Sequence, residues 1–145
     1  MTVQNRICAV LAVVFILGAP SAQAHHSFND IFDVNTVTAL KGTISKIDWI
    51  NPHVYVHVDI KDTSGKVTTW GVESPPTNHL RSAGISRQDL WNNASAGEVV
   101  TVHVNPAKEG LVKAERPLGL LMRITYADGH FFHVRGDPKE IAASK

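Results

Sequence analysis

His53-Val54-Tyr55-Val56-His57-Val58-Asp59-Ile60-Lys61 is the stretch that decides the fold. Val54, Val56, Val58 and Ile60 fall on one parity, and His53, Tyr55, His57 and Asp59 fall on the other. Successive side chains of a strand point to opposite faces, so this alternation predicts a strand with one apolar face and one polar, histidine-bearing face. The turn signal Asn51-Pro52 precedes it, and Asp62-Thr63-Ser64-Gly65 follows as a hairpin loop. Val67 to Glu73 then returns as a third strand, with Trp70 and Val72 inward.

Upstream, Val37 to Ile50 reads as the first strand. Leu40, Gly42 and Ile44 share one parity, but Ile47 and Trp49 share the other, so the inward face changes near Ser45-Lys46. A bulge there lets one strand serve two sides of a small barrel. Downstream, Ser74-Pro75 offers an N-cap and a first-turn proline for a short helix carrying Leu80 and Ala83, with Gly84 at its end. Ser86 and Asp89 have the spacing of a capping box for one further turn. Val100, Val102 and Val104 mark a fourth strand, and Leu118 to Tyr126 a fifth. Ala127-Asp128-Gly129 turns into His130 to Val134, and Asp137-Pro138 starts a last helical turn. Three meandering strands, a helix and further strands predict a mostly β chain with the OB-fold, a small Greek-key barrel whose helix lies between the third and fourth strands. An open sandwich of the same strands is the alternative.

The first 24 residues have a different character. One basic side chain, Arg6, precedes the apolar run Ile7 to Ala19, and Pro20 then leads to Ala22-Gln23-Ala24. That order is a secretion signal with a small-residue cleavage site. The apolar run falls short of the roughly 20 residues that span a bilayer, so no transmembrane segment is expected after cleavage. The expected organisation is a signal peptide over residues 1–24 and one domain over 25–145, located in the periplasm. Cys8, the only cysteine of the 145 residues, lies within the leader and lacks the small residues that precede a lipoprotein cysteine. The exported domain therefore has no disulfide and relies on its packed core.

Removing Arg6 with the leader leaves 13 basic against 13 acidic residues. That balance argues against nucleic acid as a partner, which needs a basic face. All eight histidines follow residue 24.

Several phrases carry a family resemblance. They are His25-His26-Ser27-Phe28, Leu40-Lys41-Gly42-Thr43-Ile44, Trp49-Ile50-Asn51-Pro52-His53, Trp70-Gly71-Val72-Glu73, and Gly97-Glu98-Val99-Val100-Thr101-Val102 with Pro106-Ala107-Lys108. In this order, over roughly residues 25 to 133, they resemble the exported bacterial proteins grouped as domain of unknown function 6152. The resemblance implies an exported location and a small β-barrel-like domain; it implies no activity. The chain departs from the family's pattern at Arg116-Pro117-Leu118-Gly119-Leu120, which leaves the pairing of the last strands open.

Two kinds of function fit these residues. The first is a non-catalytic binding module for a small molecule or an envelope-protein partner. On an OB-fold, side chains on the second and third strands meet ligands. Tyr55 and His57 on the polar face, Glu73 at a strand end, and Trp49 are the candidate contacts, although Trp49 and Trp70 also have the parity of core residues. The second is copper(II) binding. A first-residue histidine grips copper through its α-amine and Nδ1, His26 adds another imidazole, and His53 is the candidate partner. The alternative for His25-His26 is a solvated terminus. His53 and His57 share a face but lie four residues, about 13 Å, apart along a strand, which is too far to share one ion. No catalytic motif is recognisable: there is no G-x-S-x-G turn, no phosphate-cradling glycine loop and no paired-carboxylate arrangement.

Overall fold

The computed structural model describes residues 27–92, 99–112, 116–136 and 139. The strands are β1 (Thr38–Asp48), β2 (Val54–Lys61), β3 (Val67–Ser74), β4 (Val99–Pro106), β5 (Leu118–Thr125) and β6 (Phe131–His133). Three short helices accompany them: α1 (Phe28–Ile31), α2 (Thr77–Ser82) and α3 (Arg87–Asn92). The strands pair antiparallel in the order β3-β2-β1-β4-β5-β6, and β3 also pairs parallel with β5. That extra pairing closes five strands into an OB barrel, with α2 and α3 between β3 and β4 as the order of elements predicts.

The alternation in β2 works as read. Val54, Val56 and Val58 have no exposure, and Val72, Val102, Val104, Leu121 and Ile124 join them inside the barrel. Closure depends on β1 serving two neighbours. Residues 38–43 pair with β4 and residues 43–48 with β2. The register slips between Ile44 and Lys46, so Ser45 is the extra residue of a bulge. Ile44 and Ile47 are therefore both buried although they differ in parity. Trp49 and Trp70 are half-buried and pack against this core.

The link between β3 and β4 differs from expectation at its start. Ser74 is the last residue of β3, buried, with its hydroxyl lacking a hydrogen-bond partner among the described residues, and does not cap a helix. Pro75 and Pro76 disfavour helical backbone in the residues before them, so α2 begins only at Thr77, after Pro76. Its far end behaves as read. Gly84 has φ +76°, its N–H donates to the Arg81 carbonyl, and the Ile85 N–H reaches back to the Leu80 carbonyl. This satisfies the last carbonyls of the helix and brings the buried Leu80 and Ile85 together. The capping box also forms, with Ser86 N–H donating to Asp89 Oδ2 at 2.7 Å and Asp89 N–H to Ser86 Oγ at 3.1 Å. α3 then delivers Leu90 to the core, where Tyr126 donates to its carbonyl at 3.3 Å.

β5 has three partners. Its first residues pair with β3, its length with β4, and residues 123–125 with β6. A second bulge at Met122 turns that carbonyl toward the tail, where it accepts from the N–H groups of Val134 and Arg135. The chain leaving β6 is thereby led toward the end of β3. At the other terminus, α1 and Phe32 dock beside residues 106–108 through a Phe32–Ala107 bridge and the Lys108 N–H to the Ile31 carbonyl. The helical turn expected at Asp137-Pro138 lies outside the described residues. Among the described residues no helix is long and apolar enough to cross a membrane.

Candidate functional site

Because β2 alternates, His53, Tyr55, His57 and Asp59 project from the outer face of the barrel. Cross-strand register sets Glu73 opposite Tyr55, Gly71 opposite His57 and Thr69 opposite Asp59. Two polar groupings arise on this one face.

The first surrounds Glu73, which is 7 % exposed. Tyr55 Oη donates to Glu73 Oε2 at 2.9 Å, and His53 Nδ1 lies 2.9 Å from Oε1. The imidazole contact has ion-pair distance, but its geometry is not that of an aligned hydrogen bond. The Phe28 ring stands edge-on to His53 with centroids 6.4 Å apart, and the Arg135 guanidinium lies 4.6 Å over the same phenyl ring. The segments that carry Phe28 and Arg135 thus meet beside the His53–Glu73 pair. Burial pushes the Arg135 guanidinium down, and the charge of Glu73 opposes that.

Tyr55 is pushed up to about 12, first by burial, then by its hydrogen bond to Glu73 and by that carboxylate's charge. The folded value lies above the ordinary 10.0. The stability this group contributes is therefore complete below that ordinary value and is lost as pH rises through the folded one. An alkaline titration followed by phenolate absorbance should show a step at about 12 that Tyr55→Phe removes. Phenol ionisation confined to the ordinary range would contradict the burial and hydrogen bonding of Tyr55.

The second grouping lies further along β2. His57 Nε2 is 2.8 Å from Asp48 Oδ2, and Lys46 Nζ is 2.7 Å from Asp48 Oδ1. Lys46 first, then His57, holds the Asp48 carboxyl below the usual carboxylate range. Asp59 Oδ1 accepts from Thr69 Oγ1 at 2.6 Å and from the bulge residue Ser45 at 3.0 Å. Beside His57 opens a groove of about 680 Å³, lined by Lys66, Val67, Thr68, Thr69 and Gly71 of the β2–β3 hairpin and by Arg116, Pro117 and Leu118 entering β5.

Of the residues proposed from sequence, His53, Tyr55 and Glu73 come together. His57 shares their face but is held by Asp48 and borders the groove. Trp49 is half-buried and packs against the core. His25 and His26 lie outside the described residues. Among the described residues no group of three or more His, Cys, Asp or Glu side chains comes together to hold a metal. Sequence reasoning missed Asp48, Phe28, Arg135, Lys66 and Arg116. For Asp48 a signal existed, since pairing across the bulge sets Lys46 opposite His57 and Asp48 opposite Tyr55.

No curated protein matches the chain. No solved structure matches it either. A model of a family of unknown function (DUF6152) matches residues 13–115, which include most of the barrel, β2 and β3 with their polar face among it, and the chain belongs to that family.

Proposed function

We propose that the protein is an exported, periplasmic and non-catalytic binding module that holds a small molecule, or part of an envelope-protein partner, on the outer face of β2 and β3. The groove beside His57 carries this reading. Its volume of about 680 Å³ lies within the range of small-ligand sites, and its lining joins the apolar Val67, Pro117 and Leu118 to the polar His57, Lys66, Thr68, Thr69 and Arg116. The leader-like first 24 residues support the location. The test is to express the full chain in a Gram-negative host, recover the processed protein from the periplasm, and weigh it in native and denaturing mass spectrometry. A terminus at His25 and a non-covalent adduct, or a captured envelope partner, are expected. Cytoplasmic, unprocessed protein would overturn the location. Absence of both ligand and partner would overturn the binding reading.

A second reading, copper(II) binding by His25 with His53, is favoured by one observation. Phe28 stands edge-on to the His53 ring, and His25 precedes Phe28 by three residues in the sequence. Glu73 sits against Nδ1 and leaves Nε2 for a ligand, as a carboxylate behind a metal-binding histidine does. Bound copper would be gripped by the His25 amine and ring, with His26 adjacent. Protein with the His25 terminus should bind one copper(II), and a one-residue extension should weaken binding sharply. Equal binding by the two forms would sink this reading.

A further inference from the structure

Resting on the reading that the outer face of β2 and β3 binds a small molecule, we infer that this molecule is a small organic anion: an oxyanion head on an apolar body. The charges lining the groove are of one sign. Lys66 and Arg116 both border it, and no described residue that lines it is a carboxylate. The acids of the neighbouring strands and hairpin are already engaged, Asp48 with Lys46 and His57, Asp59 with Thr69 and Ser45, and Asp62 within its own loop with the Ser64 hydroxyl and the Lys66 N–H. Neither Lys66 nor Arg116 forms an ion pair with a described carboxylate. A guanidinium presents a planar fork of donors that matches a carboxylate or phosphate, and an ammonium adds a mobile point charge.

The body of the ligand is set by the remaining lining. Val67, Pro117 and Leu118 offer apolar surface, and Gly71 adds no side chain between them. Val67 is about half exposed, so apolar surface there is still open to water until something covers it. Head and body must both be present for full affinity, because each fragment alone leaves one half of the groove unsatisfied. His57 spends Nε2 on Asp48, which leaves Nδ1 as a further polar contact at the groove wall.

The experiment uses the processed protein and four probes: phenyl phosphate and benzoate, which join head and body, inorganic phosphate, which is head alone, and phenol, which is body alone. Binding is located by the backbone amide shifts of Thr69, Gly71 and Leu118. At least one of the joined probes should bind about tenfold more tightly than either fragment, a difference of about 1.4 kcal/mol. Arg116→Gln should weaken it about fivefold, and Arg116→Lys, which keeps the charge, should weaken it less. Phosphate-only or carboxylate-only binding tells which oxyanion the groove takes. Equal affinity for phenol and the joined probes, or unchanged affinity in the Arg116→Gln, Lys66→Gln double variant, would overturn the anion. If the four probes leave these amides still while a neutral sugar such as maltose moves them, the anion falls and the binding face stands. Still amides with every probe and with a periplasmic extract would overturn both.

Discussion

Gly42→Ala should cost the fold about 3 kcal/mol, the upper end of what overpacking usually costs. A Cβ on Gly42 would lie 2.3 Å from the Asp59 carbonyl oxygen and 2.7 Å from Ile60 Cδ1. The isoleucine tip has rotamers to escape into, but the carbonyl belongs to the backbone of β2. Relief would require the strands to separate. They would do so where β1 passes from its β4 partner to its β2 partner, between Gly42 opposite Val100 and Thr43 opposite Asp59. A strand that bends this tightly onto its neighbour needs a residue without a side chain. Urea unfolding should show a lower midpoint with an unchanged slope, since the same surface is exposed on unfolding. Lys41→Ala, at the exposed neighbouring position, should move stability by less than about 0.5 kcal/mol. Equal midpoints for Gly42→Ala and the native chain would contradict the close approach of β1 to β2.

What was legible in the sequence was local. The parity of Val54, Val56 and Val58 set the inner face of β2, and the clash of parity between Ile44 and Ile47 located the bulge, because burial imposes a period of two and any slip must be absorbed by an extra residue. Gly84 and the Ser86/Asp89 box were legible because capping uses groups only a few residues apart. Ser74 misled for the opposite reason. Its capping chemistry was available, but pairing with Val54 extended β3 through it and the two prolines that follow delayed the helix. The parallel pairing of β3 with β5 has no local signature, since it joins segments nearly fifty residues apart.

The same division explains the site. His53, Tyr55 and Glu73 were proposed from parity and strand ends, and antiparallel register brought them together. Phe28 reaches His53, and Arg135 the neighbourhood of Glu73, only because the segments that carry them dock on the finished barrel. Nothing in their sequence neighbourhood indicates this. Arg116 stood out only as part of a departure from the family's pattern, and the fold gives that departure a place at the mouth of the groove.

Glu73→Ala is the substitution that separates the two functional readings, and its structural cost should also be large. It leaves the Tyr55 hydroxyl without its acceptor, His53 Nδ1 without the carboxylate beside it, and Arg135 without the opposing charge nearby. Losing a buried carboxylate from such a set costs on the order of 3 kcal/mol. Glu73→Gln keeps an acceptor for Tyr55 and fills the same space, so its cost should be smaller, and the variant remains folded for binding measurements. With the charge gone, Tyr55 should ionise below the native value of about 12, yet still above 10.0, because burial, its largest cause, remains. If His25 and His53 hold copper, Glu73→Gln should weaken copper(II) binding by about 10- to 100-fold, since the carboxylate behind a ligating histidine orients the ring and raises its basicity. The anion groove should not share that loss. Removing a negative charge from the same face should leave phenyl phosphate binding unchanged or slightly tighter, and raising the salt concentration should shrink that gain. A variant that loses copper and keeps the anion, or one that leaves copper untouched, decides whether the end of the face around His53 is a metal site or only the seat against which Phe28 and Arg135 pack.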